Sequence, residues 1–262
     1  MTRRTWSLLP ILALLAPSPG CREASPAGGA SSGPAPVVTT PPIAPGSTAP
    51  TPSVTVGTTP PASAAAVPAT PSRTWSFDAD KVGEAPAGFE LFKTGGKAGR
   101  WVVRAEPGAP SAPNVLAQLD ADRADARFAT AIATAPAVRD ARVSVRCKPI
   151  AGKVDQACGL VLRFKDEKNY YLARANALEK DVNVYVVKDG KRASLGGWKG
   201  ANFGDAWHEL RLDAKGERLE LYWDGTRVYE VSDRILPDAG RVGVWIKADS
   251  VTYFDDLTLT LL

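Results

Sequence analysis

The sequence has few of the residues that nucleophilic and metal-dependent enzyme sites use. It contains one histidine, His208, and three cysteines in 262 residues. No Ser/His/Asp or Cys/His set can be assembled around that histidine, which stands beside Trp207 at a predicted strand start, and no Cys-x-x-Cys spacing occurs. The glycine pairs at 95–96 and 196–197 do not match a phosphate-binding pattern. These absences argue against a catalytic triad, a redox centre and a nucleotide site.

Charge is missing from a long early stretch. None of the residues from Ala24 to Ser72 is charged, and most of them are Pro, Ala, Thr, Ser or Gly. A Pro-rich composition without apolar periodicity cannot bury a core, so it stays extended and solvated. We therefore expect residues 22–72 to form a disordered linker that holds a folded domain away from a surface.

The first residues have the features of an export signal. Two early arginines precede a short apolar run, Leu8 to Ala16, and residues 1–21 end in small residues. The run is about half of the ~20 residues that a membrane-spanning helix needs. Cys21 resembles a bacterial lipoprotein cleavage site, although Ser18-Pro19 departs from the usual pattern. We expect an exported protein, either lipid-anchored to the bacterial cell envelope through Cys21 or secreted, with no other membrane contact.

The remaining residues, 73–262, are long enough for one domain with a sizeable core. Apolar and polar residues alternate with a period of two along many short runs, and helical periodicity is absent. Turn signals such as Asp189-Gly190 and Asp224-Gly225 separate the runs. This pattern predicts an all-β sandwich or barrel.

The charge balance gives no sign of a nucleic-acid partner. The chain has 32 Lys and Arg against 28 Asp and Glu, a net charge of +4. No block of basic residues interleaved with aromatics accompanies this small excess. We expect a monomer that does not bind nucleic acid.

Two cysteines lie in adjacent alternating runs. Cys147 ends one run and Cys158 begins the next, with a loop containing Gly and Pro between them. If the two strands pair antiparallel, the cysteines face each other across the ladder, and export makes a disulfide chemically reasonable. The alternative is a pair of buried thiols.

Several motifs, taken in order, resemble a known bacterial family. They are Val154–Arg163, Asn169–Arg174 with Asn176 and Glu179, Trp207-His208, Asp224-Gly225 and Gly243–Asp256. Together they resemble concanavalin A-like lectin/glucanase (laminin G-like) domains, which are described as similar to glycoside hydrolase family 16 or to 3-keto-disaccharide hydrolases. The resemblance covers residues 75–262. It implies a jelly roll of two curved antiparallel sheets with a concave side that faces sugars, in a fold many of whose members only bind.

One predicted strand carries a cluster of polar residues. Alternation places Tyr170, Arg174 and Asn176 on one face, since residues two apart on a strand point the same way. The expected register brings Arg163 beside Tyr170 and Asn183 opposite Asn176, although a slip of one residue would send Arg163 to the other face. Guanidinium and amide groups suit sugar hydroxyls, and aromatic rings stack on a pyranose. The alternative is an ordinary solvated outer face.

Trp198 lies in a predicted glycine-rich loop and is the candidate aromatic at the rim of a sugar site. The alternative is a tryptophan that plugs the end of the sandwich. The candidate ligand-binding residues are therefore Arg163, Tyr170, Arg174, Asn176, Asn183 and Trp198.

Hydrolysis needs carboxylates that the sequence does not place in an obvious pair. Retaining glycosidases use two carboxyl groups about 5 Å apart. The Glu-x-Asp-x-Glu type of run found in family 16 enzymes does not occur here. Activity on a 3-keto-sugar would need only a base beside an acidified C–H bond, and Glu179 and Asp249 are the candidates for it.

A structural calcium ion is a further expectation of the jelly-roll resemblance. Asp255 and Asp256, with Asp78 or Asp80 brought near by pairing of the terminal strands, offer the oxygen ligands that Ca²⁺ prefers. No calcium-loop pattern is present. The alternative is that there is no cofactor and that these side chains cap neighbouring loops.

The sequence thus favours a carbohydrate-binding module whose partner is a glycan or polysaccharide. A carbohydrate-active hydrolase, acting on 3-keto-disaccharides or other glycosides, is the second hypothesis. A protein-binding adhesion domain is the third.

Overall fold

The computed structural model describes residues 71–262, so the expected signal, Cys21 and nearly all of the expected linker lie outside the described residues. Within this range the chain forms fifteen β-strands and no helix. The strands are β1 (Ser72–Trp75), β2 (Phe89–Thr94), β3 (Trp101–Ala105), β4 (Asn114–Gln118), β5 (Phe128–Ala133), β6 (Ala141–Ala151), β7 (Ala157–Asp166), β8 (Asn169–Asn176), β9 (Asp181–Lys188), β10 (Lys191–Lys199), β11 (His208–Lys215), β12 (Arg218–Trp223), β13 (Thr226–Ser232), β14 (Arg241–Lys247) and β15 (Val251–Leu261). No helix in this part of the chain is long and apolar enough to cross a bilayer.

The strands form two sheets, and every paired strand is antiparallel to its neighbour. The seven-stranded front sheet has the order β10-β9-β8-β7-β14-β5-β2. The eight-stranded back sheet has the order β13-β12-β11-β6-β15-β4-β3, and β1 pairs with the second half of β15. The prediction of an all-β, two-sheet antiparallel sandwich is confirmed.

The core lies between the two sheets, and period-two alternation fills it. In β6, Val143, Val145 and Cys147 point inward and are fully buried, while the intervening Ser144 and Arg146 point outward. The facing strands of the front sheet supply a similar row of buried aliphatic side chains, Val182, Val184 and Val186 in β9 among them. Because strand side chains alternate between faces, the sequence pattern alone specifies this layer.

The strand β10 was not expected, because its glycines interrupt the alternation that identifies strands. A bulge between Ser194 and Gly196 accommodates them. Gly197 is required where it stands, since a Cβ at this position would lie 2.2 Å from the side-chain oxygen of Asn183. The predicted glycine-rich loop is therefore the edge strand of the front sheet.

The predicted disulfide between Cys147 and Cys158 is present, but it joins different elements from those expected. β6 belongs to the back sheet and β7 to the front sheet, so the two strands do not pair. Both cysteines are fully buried, and the bond crosses the core between the layers. The two cysteines are 11 residues apart in the sequence. Closing this loop lowers the conformational entropy of the unfolded chain, which stabilises the fold by about 3 kcal/mol.

Candidate functional site

The candidate site lies on the outer face of the front sheet, which is the face turned away from the back sheet. A second apolar cluster, separate from the sandwich core, includes Tyr170, Leu172, Val161 and Trp245 on this face. Alternation along β8 then places Arg174 and Asn176 on the same face as Tyr170, as the sequence predicted. All three of these polar residues are buried, with 1–2% of their surface exposed.

The register of β8 and β9 differs from the expectation by two residues. Arg174 pairs with Asn183, and Asn176 pairs with Asp181. The face is unchanged because a shift of two preserves the alternation. Asn183 therefore lies beside the guanidinium of Arg174 and not opposite Asn176.

Arg163 does not join this cluster. Its φ of 52° accompanies a bulge in the β7–β8 pairing between Leu162 and Asp166, which turns its side chain toward the interior. There the guanidinium donates to three backbone carbonyls, those of Arg139 at 2.9 Å, Leu236 at 3.0 Å and Gly216 at 2.7 Å. The placement beside Tyr170 expected from the sequence is wrong, and Arg163 holds loops together inside the domain.

Arg174 is the centre of an ion-pair network. Its Nη2 atom donates to Glu179 Oε2 at 2.6 Å and to Asp181 Oδ1 at 3.0 Å. Lys199 Nζ donates to the other oxygen of Asp181 at 2.8 Å. Burial by itself would raise the pKa of Asp181, but the Lys199 bond and the charge of Arg174 outweigh it and hold that pKa below its ordinary value. Arg174 Nε is buried and has no partner among residues 71–262.

A second group of polar side chains lies next to this network. Asn176 donates to Asp155 Oδ1 at 2.8 Å, and Lys247 Nζ lies 3.2 Å from Asp155 Oδ2. Lys247 also contacts the exposed Asp125. Burial raises the pKa of Asp155, and the nearby charges of Arg174 and Lys247 oppose that shift only in part. The carboxyl is 1% exposed, so it supports the site from beneath and is closed to solvent.

An aromatic platform completes the outer face. The rings of Phe128 and Trp245 stack with centroids 5.2 Å apart. The guanidinium of Arg192 lies over Phe128 at 5.1 Å, over Tyr185 at 4.7 Å and over Trp245 at 5.8 Å. Gly159 makes room for this platform, because a Cβ there would lie 2.7 Å from the Trp245 ring. Arg192 Nη1 is buried without a partner in the described part of the chain.

Tyr185 joins the network to the platform. Its ring lies 4.7 Å from the Arg192 guanidinium and 5.4 Å from that of Arg174. Tyr185, Arg192 and Asn183 are each half-buried, so part of each side chain faces solvent. Guanidinium groups beside an aromatic ring contribute cation–π attraction. Of the two, Arg192 is the one that is partly exposed to solvent.

Trp198 lies away from this surface. It pairs with the buried Val182 in β10–β9 and packs against the sandwich core. Since Val182 points into the core, Trp198 also points inward and covers the open edge of the sandwich. This position agrees with the alternative interpretation, in which Trp198 plugs the end of the sandwich.

The two candidate catalytic carboxylates have different surroundings. Glu179 contacts Arg174 and is 48% exposed. Asp249 accepts the backbone N–H groups of Lys153, Val154 and Asp155 at 2.8–3.0 Å. Burial alone would raise the pKa of Asp249, but these backbone bonds hold it below its ordinary value. Asp249 therefore remains ionised, and its hydrogen bonds hold the β6–β7 loop in place.

The four aspartates of the expected calcium site do not form a ligand cluster. Asp255 accepts from the backbone N–H of Ser111 at 2.8 Å and from its hydroxyl at 2.9 Å, and the N–H of Asp256 donates to it as well. Asp78 accepts from the N–H of Asn114 and Asp80 from that of Ala87. Within residues 71–262 no group of three or more His, Cys, Asp or Glu side chains is placed to hold a metal ion. The donor sets therefore do not fit Ca²⁺.

Asp255 should give the stability of the domain a recognisable pH dependence. Burial raises its pKa from 3.8 to about 6, although the bonds from Ser111 act in the opposite direction. A carboxyl whose folded pKa is raised stabilises the fold at low pH, and that stability is lost as the pH rises from about 4 to about 7. Relative to Asp255→Asn, the wild type should lose about 3 kcal/mol across this range.

Urea unfolding at several pH values measures this difference. Asp80→Asn is the matched control, because that carboxylate also accepts a backbone N–H but lies in a more exposed loop. A constant difference between wild type and Asp255→Asn from pH 4 to 7 would contradict the assigned shift.

The sequence interpretation missed most of the side chains that reach solvent at this site. Tyr185 follows Asn183 by two positions in a strand that was expected, so alternation was sufficient to place it on the outer face. Arg192 lies in β10, whose glycines hid the strand. Asp155 lies in a loop, and no local pattern connects it with Asn176. The missed residues are Asp155, Asp181, Tyr185, Arg192, Lys199, Trp245 and Lys247.

Comparison with known proteins supports the fold assignment. No protein-family model matches the chain, and no curated protein does. Among solved structures, a carbohydrate-binding module from Bacillus subtilis, CBM66, is similar with a TM-score of 0.52 and 19% identity, over 65% of this chain and 94% of the module.

The lumenal domain of VIP36 is similar as well. Its Ca²⁺-bound form has a TM-score of 0.51 and 13% identity, over 73% of this chain and 90% of that domain. Its Ca²⁺- and mannose-bound form has a TM-score of 0.50 and 13% identity, over 73% of this chain and 89% of that domain. At these identities the likeness establishes a jelly-roll, lectin-like fold.

Proposed function

We propose that this protein is a carbohydrate-binding module that presents the outer face of its front sheet to a glycan. The central observation is the partly exposed Tyr185 ring, which lies near the guanidinium groups of Arg174 and Arg192 and shares its face of β9 with Asn183. The structural likeness to a carbohydrate-binding module and to a mannose-bound lectin domain supports the same class of ligand.

The chemistry of this face suits a sugar. A tyrosine ring offers an apolar surface to the C–H groups of a pyranose. Asn183 and Arg192 supply amide and guanidinium donors for hydroxyl oxygens, and Glu179 supplies an acceptor at the rim.

Binding is favoured over hydrolysis by the state of the carboxylates near this face. Asp181 is ion-paired with Arg174 and Lys199, and Asp155 is closed to solvent. Glu179 is exposed but contacts Arg174, and Asp249 is occupied by backbone donors. A general acid and a second free carboxylate on one sugar are what hydrolysis of a glycoside requires. Activity on a 3-keto-sugar needs only one base, but Glu179 is paired with Arg174 and Asp249 accepts backbone N–H groups. Hydrolysis of 3-keto-disaccharides is therefore the weaker proposal.

The proposed setting is the outside of a bacterial cell. The short apolar run before Cys21 and the uncharged stretch up to residue 72 support an exported protein whose folded domain follows a long linker. The disulfide between Cys147 and Cys158 is consistent with an oxidising compartment. Lipidation at Cys21 would anchor the domain to the envelope, and the mass of the mature N-terminus tests it.

Replacement of Tyr185 by alanine tests the proposed binding face. A glycan array first selects a ligand for the wild-type domain, and calorimetric titration then compares variants. Tyr185→Ala should weaken binding by about 10-fold or more, since the stacked ring contributes on the order of 1.5 kcal/mol.

The back sheet offers a matched control. Tyr222 lies under the guanidinium of Arg211 at 3.7 Å, so Tyr222→Ala removes the same kind of pair from the opposite side of the sandwich. This control should keep full affinity. Equal losses in both variants, or a wild type that binds no glycan on the array, would overturn the proposal.

A further inference from the structure

A cleft of about 430 Å³ opens at one end of the sandwich, beyond the outer face of the front sheet. Three connections line it: β4–β5, β6–β7 and β14–β15. We refer to it as the end cleft. Its principal lining residues are Arg123, Ile150, Lys153, Gln156, Asp249 and Val251. This volume lies within the range of small-molecule sites, about 300–1,000 Å³.

The wall of the end cleft is held in place before any ligand arrives. The carboxylate of Asp249 accepts the backbone N–H groups of residues 153–155, which fixes the β6–β7 loop. Gln156 Nε2 donates to the carbonyl of Gly152 at 3.1 Å and braces the same loop. A preorganised cleft avoids the cost of ordering a loop on binding.

Two cations face this cleft from different connections. The Arg123 side chain is 65% exposed, and its Nε lies 3.8 Å from Asp249 Oδ2, which is beyond hydrogen-bond distance. Lys153 is exposed, and its Nζ contacts no carboxylate in the described part of the chain. The loop N–H groups occupy three of the roughly four acceptor positions of Asp249, whose charge partly balances that of Arg123. The donors of Arg123 and Lys153 therefore remain available for an external anion.

Apart from these two cations and from Gln156 and Asp249, which hold the β6–β7 loop, the side chains that line the cleft are apolar. Ile150 and Val251, with small alanines beside them, form a surface without charge. An anion that also has an apolar face fits such a lining, because its charged group meets the cations while its C–H surface covers the aliphatic side chains. A sugar that carries a carboxylate has both properties.

We infer that the end cleft binds a uronic acid residue, with its carboxylate between Arg123 and Lys153 and its ring against Ile150 and Val251. The choice of a sugar as the ligand rests on the proposed carbohydrate-binding function. Asp155 lies between the end cleft and the outer-face cluster, since its N–H donates to Asp249 while its carboxylate accepts from Asn176.

The test compares trigalacturonate with its uncharged counterpart, trigalactose, by calorimetric titration. The wild-type domain should bind the acidic trimer at least 10-fold more tightly at 50 mM NaCl, and 500 mM NaCl should reduce this preference because it screens the ion pairs. The double variant Arg123→Ala/Lys153→Ala should lose the preference for the acidic trimer.

Matched controls lie at the opposite end of the sandwich. Arg234 and Lys215 are exposed cations, so Arg234→Ala/Lys215→Ala removes the same charges without touching the cleft. This control should keep the preference. An undiminished preference in the cleft variant overturns the inference, and so does equal binding of a simple dicarboxylate such as glutarate, which would make the site one for small acids.

The same experiment separates this inference from the proposed function. Tyr185→Ala tests the outer face. This variant should still bind the acidic trimer more tightly than the neutral one, and that difference in affinity should still depend on Arg123 and Lys153. If no neutral glycan binds but the acidic trimer binds through these cations, the outer-face proposal fails and the cleft stands. If neutral glycans bind and the acidic trimer has no advantage, the cleft inference fails alone.

Discussion

Replacing Arg163 with methionine is expected to lower the free energy of unfolding by at least about 3 kcal/mol. The guanidinium is fully buried and donates to the carbonyls of Arg139, Leu236 and Gly216. Methionine keeps much of the volume but leaves these carbonyls without their charged donor. Hydrogen bonds that involve a charged group contribute more than neutral ones, and a buried orphaned acceptor adds a desolvation cost.

Urea unfolding followed by tryptophan fluorescence measures this loss. The matched control is Lys165→Met, which removes a cation that is 39% exposed and lies two positions along the chain. It should change stability by less than about 0.5 kcal/mol. A similar small effect for Arg163→Met would mean that the three carbonyls do not depend on its guanidinium.

Replacing Arg174 with methionine is expected to cost about 3–5 kcal/mol at neutral pH, because it leaves the buried Asp181 with Lys199 as its remaining cationic partner. Asp181 is 2% exposed, so water cannot compensate for the lost charge. The effect should depend on pH. A carboxyl whose folded pKa is lowered stabilises the protein above its ordinary value of 3.8 and loses that contribution as the pH falls.

The penalty for Arg174→Met should therefore be largest near neutral pH and should shrink below about pH 4. A double variant, Arg174→Met/Asp181→Asn, should recover part of the stability, since removing both charges leaves no buried carboxylate short of a partner. A penalty that is independent of pH, or no recovery in the double variant, would contradict the assignment of Arg174 as the partner of Asp181.

These two arginines change how binding experiments should be designed. From the sequence, Arg163, Arg174 and Tyr170 are candidate contacts for a sugar. In the structure each is at most 2% exposed, and burial raises the pKa of Tyr170 to about 12. Substitutions there would disturb folding before they tested recognition. The half-exposed Tyr185 and Arg192 are the informative positions, because their loss removes surface chemistry from a fold that stays intact.

Local alternation explains what could be predicted about the site. Residues two apart on a strand share a face whatever the strand pairs with, so Tyr170, Arg174 and Asn176 were placed together correctly. The same rule gives no information about how deeply a side chain on that face is buried. The sequence predicts that Arg174 and Asn176 face a ligand, but in the structure they donate to Asp181 and Asp155 inside the protein. Neither contact is apparent from the sequence, because Asp155 lies in a loop and the β8–β9 register differs by two residues.

The sequence by itself determined the class of this domain: a two-layer antiparallel sandwich with apolar side chains between the layers, and a disulfide between Cys147 and Cys158. These properties follow from a period of two, which acts within each strand, and from two cysteines in neighbouring runs. Only the tertiary structure decided that the disulfide joins opposite sheets, that a bulge turns Arg163 inward, and that the end cleft exists. Each of these depends on which distant strand pairs with which and in what register, and alternation within a strand is equally compatible with several such pairings.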